Sequence, residues 1–225
     1  MSQDSRKHWR NVTTGLYLIS SICGLIDAVC FLALGHVFAE MMTGNLLLLA
    51  LSIGRGQLLE GSAQYLPAIV SFSLGALLGG RILRGPQKMR ERRVGFAIEG
   101  VILWGATALA AFGTPAAGNL QGQILIAVLA LGMGIQNAMV RVHGVPDLAT
   151  NVMTVTYTGI IADSGLAGGD NRNWRRRALS IGLFCASAAV GALLLQFGIV
   201  WPLLLAAVVF SLAIVPLMLG EAEKR

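Results

Sequence analysis

Charge is what this sequence has least of. Among its 225 residues only 12% are Asp, Glu, Lys or Arg. A soluble domain carries about 25%, because its surface must be wetted. Half that supply neither covers a soluble fold of this length nor keeps a chain disordered. Cysteine is scarce as well. Cys23, Cys30 and Cys185 all fall inside apolar runs, without metal-ligand spacing and without the even count of a disulfide framework. They read as small buried hydrophobes. Histidine is limited to His8, His36 and His143, each near the end of an apolar run. The sequence has no HExxH, no His/Cys cluster, no nucleotide loop and no Ser/His/Asp set. Neither an enzyme nor a cofactor is expected from it.

What is abundant is apolar length. Hydrophobic residues make up 55% of the chain, and the mean hydropathy is +0.70. The ten-residue alternation of an outer-membrane barrel is missing, and long unbroken runs stand in its place. The formal charge is +6. The basic residues flank apolar runs, so they read as membrane-topology signals and not as a nucleic-acid surface. Arg6, Lys7 and Arg10 precede the first run and resemble a leader's basic end. That run continues well past Cys23, which follows Ile22 and not the small residue a lipoprotein site needs, so it reads as an uncleaved first helix.

Apolar runs cover residues 16–38, 43–54, 65–83, 94–112, 124–140, 152–162, 178–197 and 200–219. Six of them have 17 or more residues, enough to cross a hydrocarbon core of roughly 30 Å as helices. The runs at 43–54 and 152–162 reach only about 16–18 Å. If all eight crossed, Arg81, Arg84, Lys88, Arg90, Arg92, Arg93 and Arg141 would lie outside. If the two short runs enter and return, only Arg55 of the 17 Lys and Arg lies outside. The positive-inside rule therefore favours an all-α integral membrane protein with six transmembrane helices and two short re-entrant half-helices. Both termini are then cytoplasmic.

The same spacing recurs after about 110 residues. Gly24-Leu25-Ile26-Asp27-Ala28 matches Gly134-Ile135-Gln136-Asn137-Ala138. Met42-Thr43-Gly44-Asn45 matches Met153-Thr154-Val155-Thr156, and Phe72-x-x-Gly75-x-x-x-Gly79 matches Phe184-x-x-Ser187-x-x-x-Gly191. The offset moves only from 110 to 112. The single membrane domain, 1–225, thus divides into repeats at 12–113 and 120–220. Three crossings per repeat is odd, so the second enters from the opposite face. Such inverted repeats place a binding site near the midplane.

Polar residues inside the runs are costly and therefore informative. An Asp at a helix centre costs about 2.5–3.5 kcal/mol on insertion scales. Asp27 is such a residue, and Asn137 is its repeat partner. Asp27 reads equally well as a solute or proton site and as a cap for the half-helix that follows. Thr43, Gly44 and Asn45 open the first half-helix. Thr43 suits an N-cap, Gly44 permits close approach and Asn45 offers both donor and acceptor. Thr154 and Thr156 play that part in the second half. Glu99 is expected to snorkel or to pair with a loop arginine. Arg141 and His143 read as edge residues, and His36 and Glu40 as solvated loop residues. Gly75 and Gly79 form a small-residue face for internal packing or for a dimer.

The glycine–aspartate block around Asp27, the Met42-Thr43-Gly44-Asn45 block and the block around Asn137 resemble the YoaK family over about residues 10–220. That resemblance implies a polytopic protein of the bacterial inner membrane, in a family of unknown function often described as permeases. Thr154-Val155-Thr156 departs from the Thr-Gly-Thr-like turn common there. The expected function is a transporter or channel for a small polar solute, with a cation, a proton-coupled or a neutral solute favoured. Asp27, Thr43, Gly44, Asn45, Gln136, Asn137, Thr154 and Thr156 would frame its site between two half-helix tips. The expected partners are the lipid bilayer, the solute and a second copy in a homodimer, with no nucleic acid. The alternative is a non-transporting membrane scaffold or assembly protein.

Overall fold

The computed structural model describes residues 3–85, 88–143, 153–171 and 173–222. Arg172, Lys224 and Arg225, weighed above for topology, lie outside them, as do the side chains of His8 and His143. The described residues form helices and no strand: α1 (Gln3–Ala33), α2 (Met42–Gly54), α3 (Leu58–Ile82), α4 (Lys88–Phe112), α5 (Leu120–His143), α6 (Met153–Ala162), α7 (Trp174–Leu195) and α8 (Val200–Ala222). A helix satisfies its own backbone, which is what an apolar segment without access to water requires.

Among the described residues five helices are long and apolar enough to cross a membrane: Thr13–Ala33, Leu58–Ile82, Arg93–Phe112, Leu120–Arg141 and Trp174–Leu195. The stretch Val200–Ile214 of α8 is apolar but shorter, and α2 and α6 are shorter still. The outward faces are apolar too. Leu46, Leu47, Leu77, Val101, Leu193 and Leu212 are exposed on them. A soluble monomer does not leave so continuous an apolar surface in water.

Contacts set the direction of each helix. Gly35, just past the end of α1, accepts a hydrogen bond from the Gln64 amide near the start of α3 and also lies against Ala117 in the α4–α5 turn. These three points therefore share one end of the molecule. α1 runs toward that end, α3 and α5 run away from it, and α4 returns to it. α7 runs parallel to α1, since Gly24 meets Phe184 and Ala188 while Ala28 meets Gly191.

α2 does not pass through the molecule. After α1 the chain doubles back until Ala39 and Glu40 reach the Asp27 side chain, about two-thirds of the way along the apolar part of α1. α2 then rises about 20 Å over its 13 residues, to the end where α3 begins.

The packing pairs off between the two halves. α3 lies on α5 as α7 lies on α1, α1 lies on α8 as α5 lies on α4, and α2 flanks α3 as α6 flanks α7. The core runs through the middle of this arrangement, from Ile19, Ile22 and Ile26 on α1 to Leu125, Leu129 and Met133 on α5.

The close approaches are made by small residues. Gly75 lies against the Leu131 carbonyl and Gly79 against Ile135 and Ala138. Gly134 lies against the Phe72 carbonyl and Gly24 against the Phe184 carbonyl and Ser187. The Gly75–Gly79 face is therefore used inside the protomer. It is not a surface left over for a second copy. Cys23 and Cys30 are buried as expected, but Cys185 is exposed, because the face of α7 that carries it points away from α1.

Candidate functional site

The residues that open α2 are held by two side chains. Asp27 Oδ1 accepts from the backbone N–H of Ala39 at 2.8 Å and of Glu40 at 3.0 Å. Asn45 clamps the Phe38 peptide from both sides: Oδ1 accepts from its N–H at 2.9 Å and Nδ2 donates to its carbonyl at 2.7 Å. Both side chains are buried. A buried backbone group left without a partner costs about 1–3 kcal/mol, so these bonds are what allows the chain to turn back inside an apolar core. The Phe38 ring stacks on Phe31 with centroids 5.1 Å apart and covers Gly44, where a Cβ would meet the ring at 2.9 Å.

Met41 is the N-cap of α2, and no side chain caps the helix. Thr43 is the second helical residue and not the cap expected of it. Asp27 stabilises the peptides just before the helix, which is close to the capping part considered for it. The segment before α6, residues 144–152, lies outside the described residues.

A cavity of about 560 Å³ separates the starts of α2 and α6. Met42, Thr43 and Gly44 line it on one side and Met153 and Thr154 on the other. Phe72 of α3 and Phe184 of α7 add the matching aromatic pair, and Glu40 is also among the lining residues. Asp27, Asn45, Gln136, Asn137 and Thr156 do not line it. Each is buried beside or behind it.

Glu40 is the residue that sequence reasoning placed wrongly. It follows the end of an apolar run and was expected in water, yet only 4% of it is exposed. The fold-back of residues 34–41 carries it inward, where its Oε1 accepts from Asn137 Nδ2 at 3.4 Å. Asn137 Nδ2 also donates to the Met133 carbonyl at 2.9 Å. Gln136 Nε2 donates to the Cys23 thiol at 3.2 Å, while its Oε1 has no partner among the described residues.

Glu99 is a second correction. It neither snorkels nor meets a loop arginine. It is fully buried, and neither carboxyl oxygen has a hydrogen-bond partner among the described residues. The α4 face that carries it turns toward α5 and not toward the end of the helix. No signal in the sequence separates those two faces. Arg141 is exposed, as an edge residue should be. Among the described residues no group of three His, Cys, Asp or Glu side chains could hold a metal ion.

Residues 15–216 match a family described as a protein of unknown function, DUF1275. The UPF0700 transmembrane protein YoaK of Bacillus subtilis (strain 168) is 29% identical over 189 residues, covering 78% of this chain and 82% of that protein. No solved structure matches.

Proposed function

This chain belongs to the DUF1275 family and is similar to YoaK, and on that premise we propose that this multi-pass membrane protein is a transporter or channel for a small polar solute. The cavity between the starts of α2 and α6 carries the reading. A pocket of a few hundred Å³ with apolar walls and a few converging polar groups has the dimensions of a small-molecule site. Among the described residues that line it, Glu40 is the acidic one, and Thr43 and Thr154 are the hydroxyl-bearing ones. That mixture favours a cation or a neutral polar solute over an anion.

In this reading the chain crosses the bacterial inner membrane six times, α2 and α6 enter and return, and both termini are cytoplasmic. The halves 12–113 and 120–220 form an inverted repeat. The paired packing of the helices supports it, as do the paired contacts of Gly24 with Phe184 and of Gly134 with Phe72. The site lies on the pseudo-two-fold axis, as in other inverted-repeat transporters.

Two measurements test this. Single cysteines at residues 56–64 should be labelled from the periplasm, and cysteines in the 84–93 turn from the cytoplasm. Finding both turns on one side would overturn the six-crossing arrangement. In proteoliposomes, potassium, methylammonium and glycerol should be compared with phosphate. At least one of the first three should move faster than through empty vesicles. Thr43→Trp or Thr154→Trp fills the cavity from an exposed position and should cut that flux about tenfold, a barrier increase of ~1.4 kcal/mol. No protein-dependent flux of any of the four would leave a scaffold as the better reading.

A further inference from the structure

The cavity does not account for Glu99. α4 and α5 run antiparallel, with Gly95 against Met139 and Gly132 against Ile102. Glu99 is four residues after Gly95 and three before Ile102. Gln136 is three residues before Met139 and four after Gly132. Residues at these spacings share one helix face, so the register sets Glu99 level with Gln136 between the two contacts. Both present acceptors without donors: the two oxygens of Glu99 and Oε1 of Gln136. From there polar groups continue to the cavity. Gln136 Nε2 donates to Cys23, the Cys23 thiol reaches the Glu40 carboxylate, and Glu40 lines the cavity wall.

The other surroundings of Glu99 are neutral. α5 carries no titratable residue between 120 and 140, and α8 carries none between 200 and 214. On α3 the residues level with this part of α5 are Gly75 and Gly79, and Arg81 beyond them is exposed. α1 contributes Cys23 and Asp27, and Glu40 is the charged group that bears on Glu99. Among the described residues no cation is placed to hold Glu99 as an anion. A carboxylate buried without a partner neutralises instead.

We propose that Glu99 is a proton-binding site that exchanges its proton with the cavity through Glu40. A proton on Glu99 supplies the donor that it and Gln136 Oε1 both lack. On release, the O–H bond of Glu99 breaks and one forms on a Glu40 oxygen, so the negative charge passes from Glu40 to Glu99. The proton then leaves Glu40 for water or solute in the cavity. The proton site stands on this geometry. Its use in coupling solute movement to a proton gradient rests on the transport reading.

Infrared spectroscopy of the protein in nanodiscs tests it without a known solute. At neutral pH the wild type should show the C=O band of a protonated carboxyl, which Glu99→Gln removes and Asp27→Asn leaves in place. If Glu99→Gln does not fold, Glu99→Asp should shift the band's frequency. On transfer to D2O the band should shift as the proton exchanges. Glu40→Gln should slow that exchange about a hundredfold, the lower end of what a positioned proton carrier contributes. A band untouched by either Glu99 variant overturns the site, and exchange at the wild-type rate in Glu40→Gln overturns the route. If methylammonium, potassium or glycerol moves while the band is indifferent to Glu99, the proton site fails and transport stands. If the band behaves as expected and no solute moves, transport and coupling fail and the proton site stands.

Discussion

Replacing Gly134 or Gly75 by leucine should abolish folded protein. Each glycine lies against backbone of the neighbouring helix, Gly134 at the Phe72 carbonyl and Gly75 at the Leu131 carbonyl. Backbone cannot rotate aside as a side chain can. A Cβ there forces α3 and α5 apart along their whole contact, and a leucine forces them further. Overpacking in a well-fitted core costs typically about 1–3 kcal/mol even where side chains can adjust. In a bilayer no separate hydrophobic force draws the helices back together, because association depends on close packing itself. Gly24→Leu should fail in the same way, because Gly24 makes the equivalent approach to Phe184 and Ser187. Gly105→Ala and Gly182→Ala are the controls, since nothing lies within 4 Å of a Cβ at either position. Yield and monodispersity in detergent measure the effect. A monodisperse, wild-type yield of Gly134→Leu would show that the α3–α5 contact is not as close as described.

The second large effect is expected at Asp27, and it separates two chemically similar substitutions. Asp27→Ala leaves the N–H groups of Ala39 and Glu40 without an acceptor in the core, at about 1–3 kcal/mol each. Asp27→Asn keeps a carbonyl oxygen in the position of Oδ1 and so keeps both bonds. The alanine variant should lose several degrees or more of thermal midpoint in detergent, and the asparagine variant should stay near the wild type. Asn45→Ala should resemble Asp27→Ala, since it releases both the N–H and the carbonyl of Phe38. Equal stability of Asp27→Ala and Asp27→Asn would mean that these peptides find other partners. With folding preserved in Asp27→Asn, any change in solute flux reports on the charge of Asp27 rather than on the loop.

The motifs singled out in the sequence take on different roles in three dimensions. Gly24, Phe72, Gly75, Gly79, Gly134, Phe184, Ser187 and Gly191 were legible only as a recurring pattern. In the structure they lie at two helix contacts, α1 with α7 and α5 with α3. Asp27 and Asn45 stood out because polar groups in apolar runs are costly. Both turn out to hold the backbone that brings α2 into place, and the cavity beside them is lined by Glu40, Thr43 and Thr154.

Composition, run length and the placement of Lys and Arg are one-dimensional properties. The sequence by itself therefore determined that the chain is helical and membrane-bound, and that a pattern of residues recurs after about 110 positions. Which side of a helix faces a neighbour is not such a property. Glu40 looked solvated because it follows the end of a run, and only the fold-back of residues 34–41 onto Asp27 carries it inside. Glu99 looked free to reach the membrane edge because Arg93 is six residues away. Only the antiparallel register of α4 on α5 places it opposite Gln136. In both cases local sequence permits two orientations of similar energy, and the packing of distant segments removes one of them.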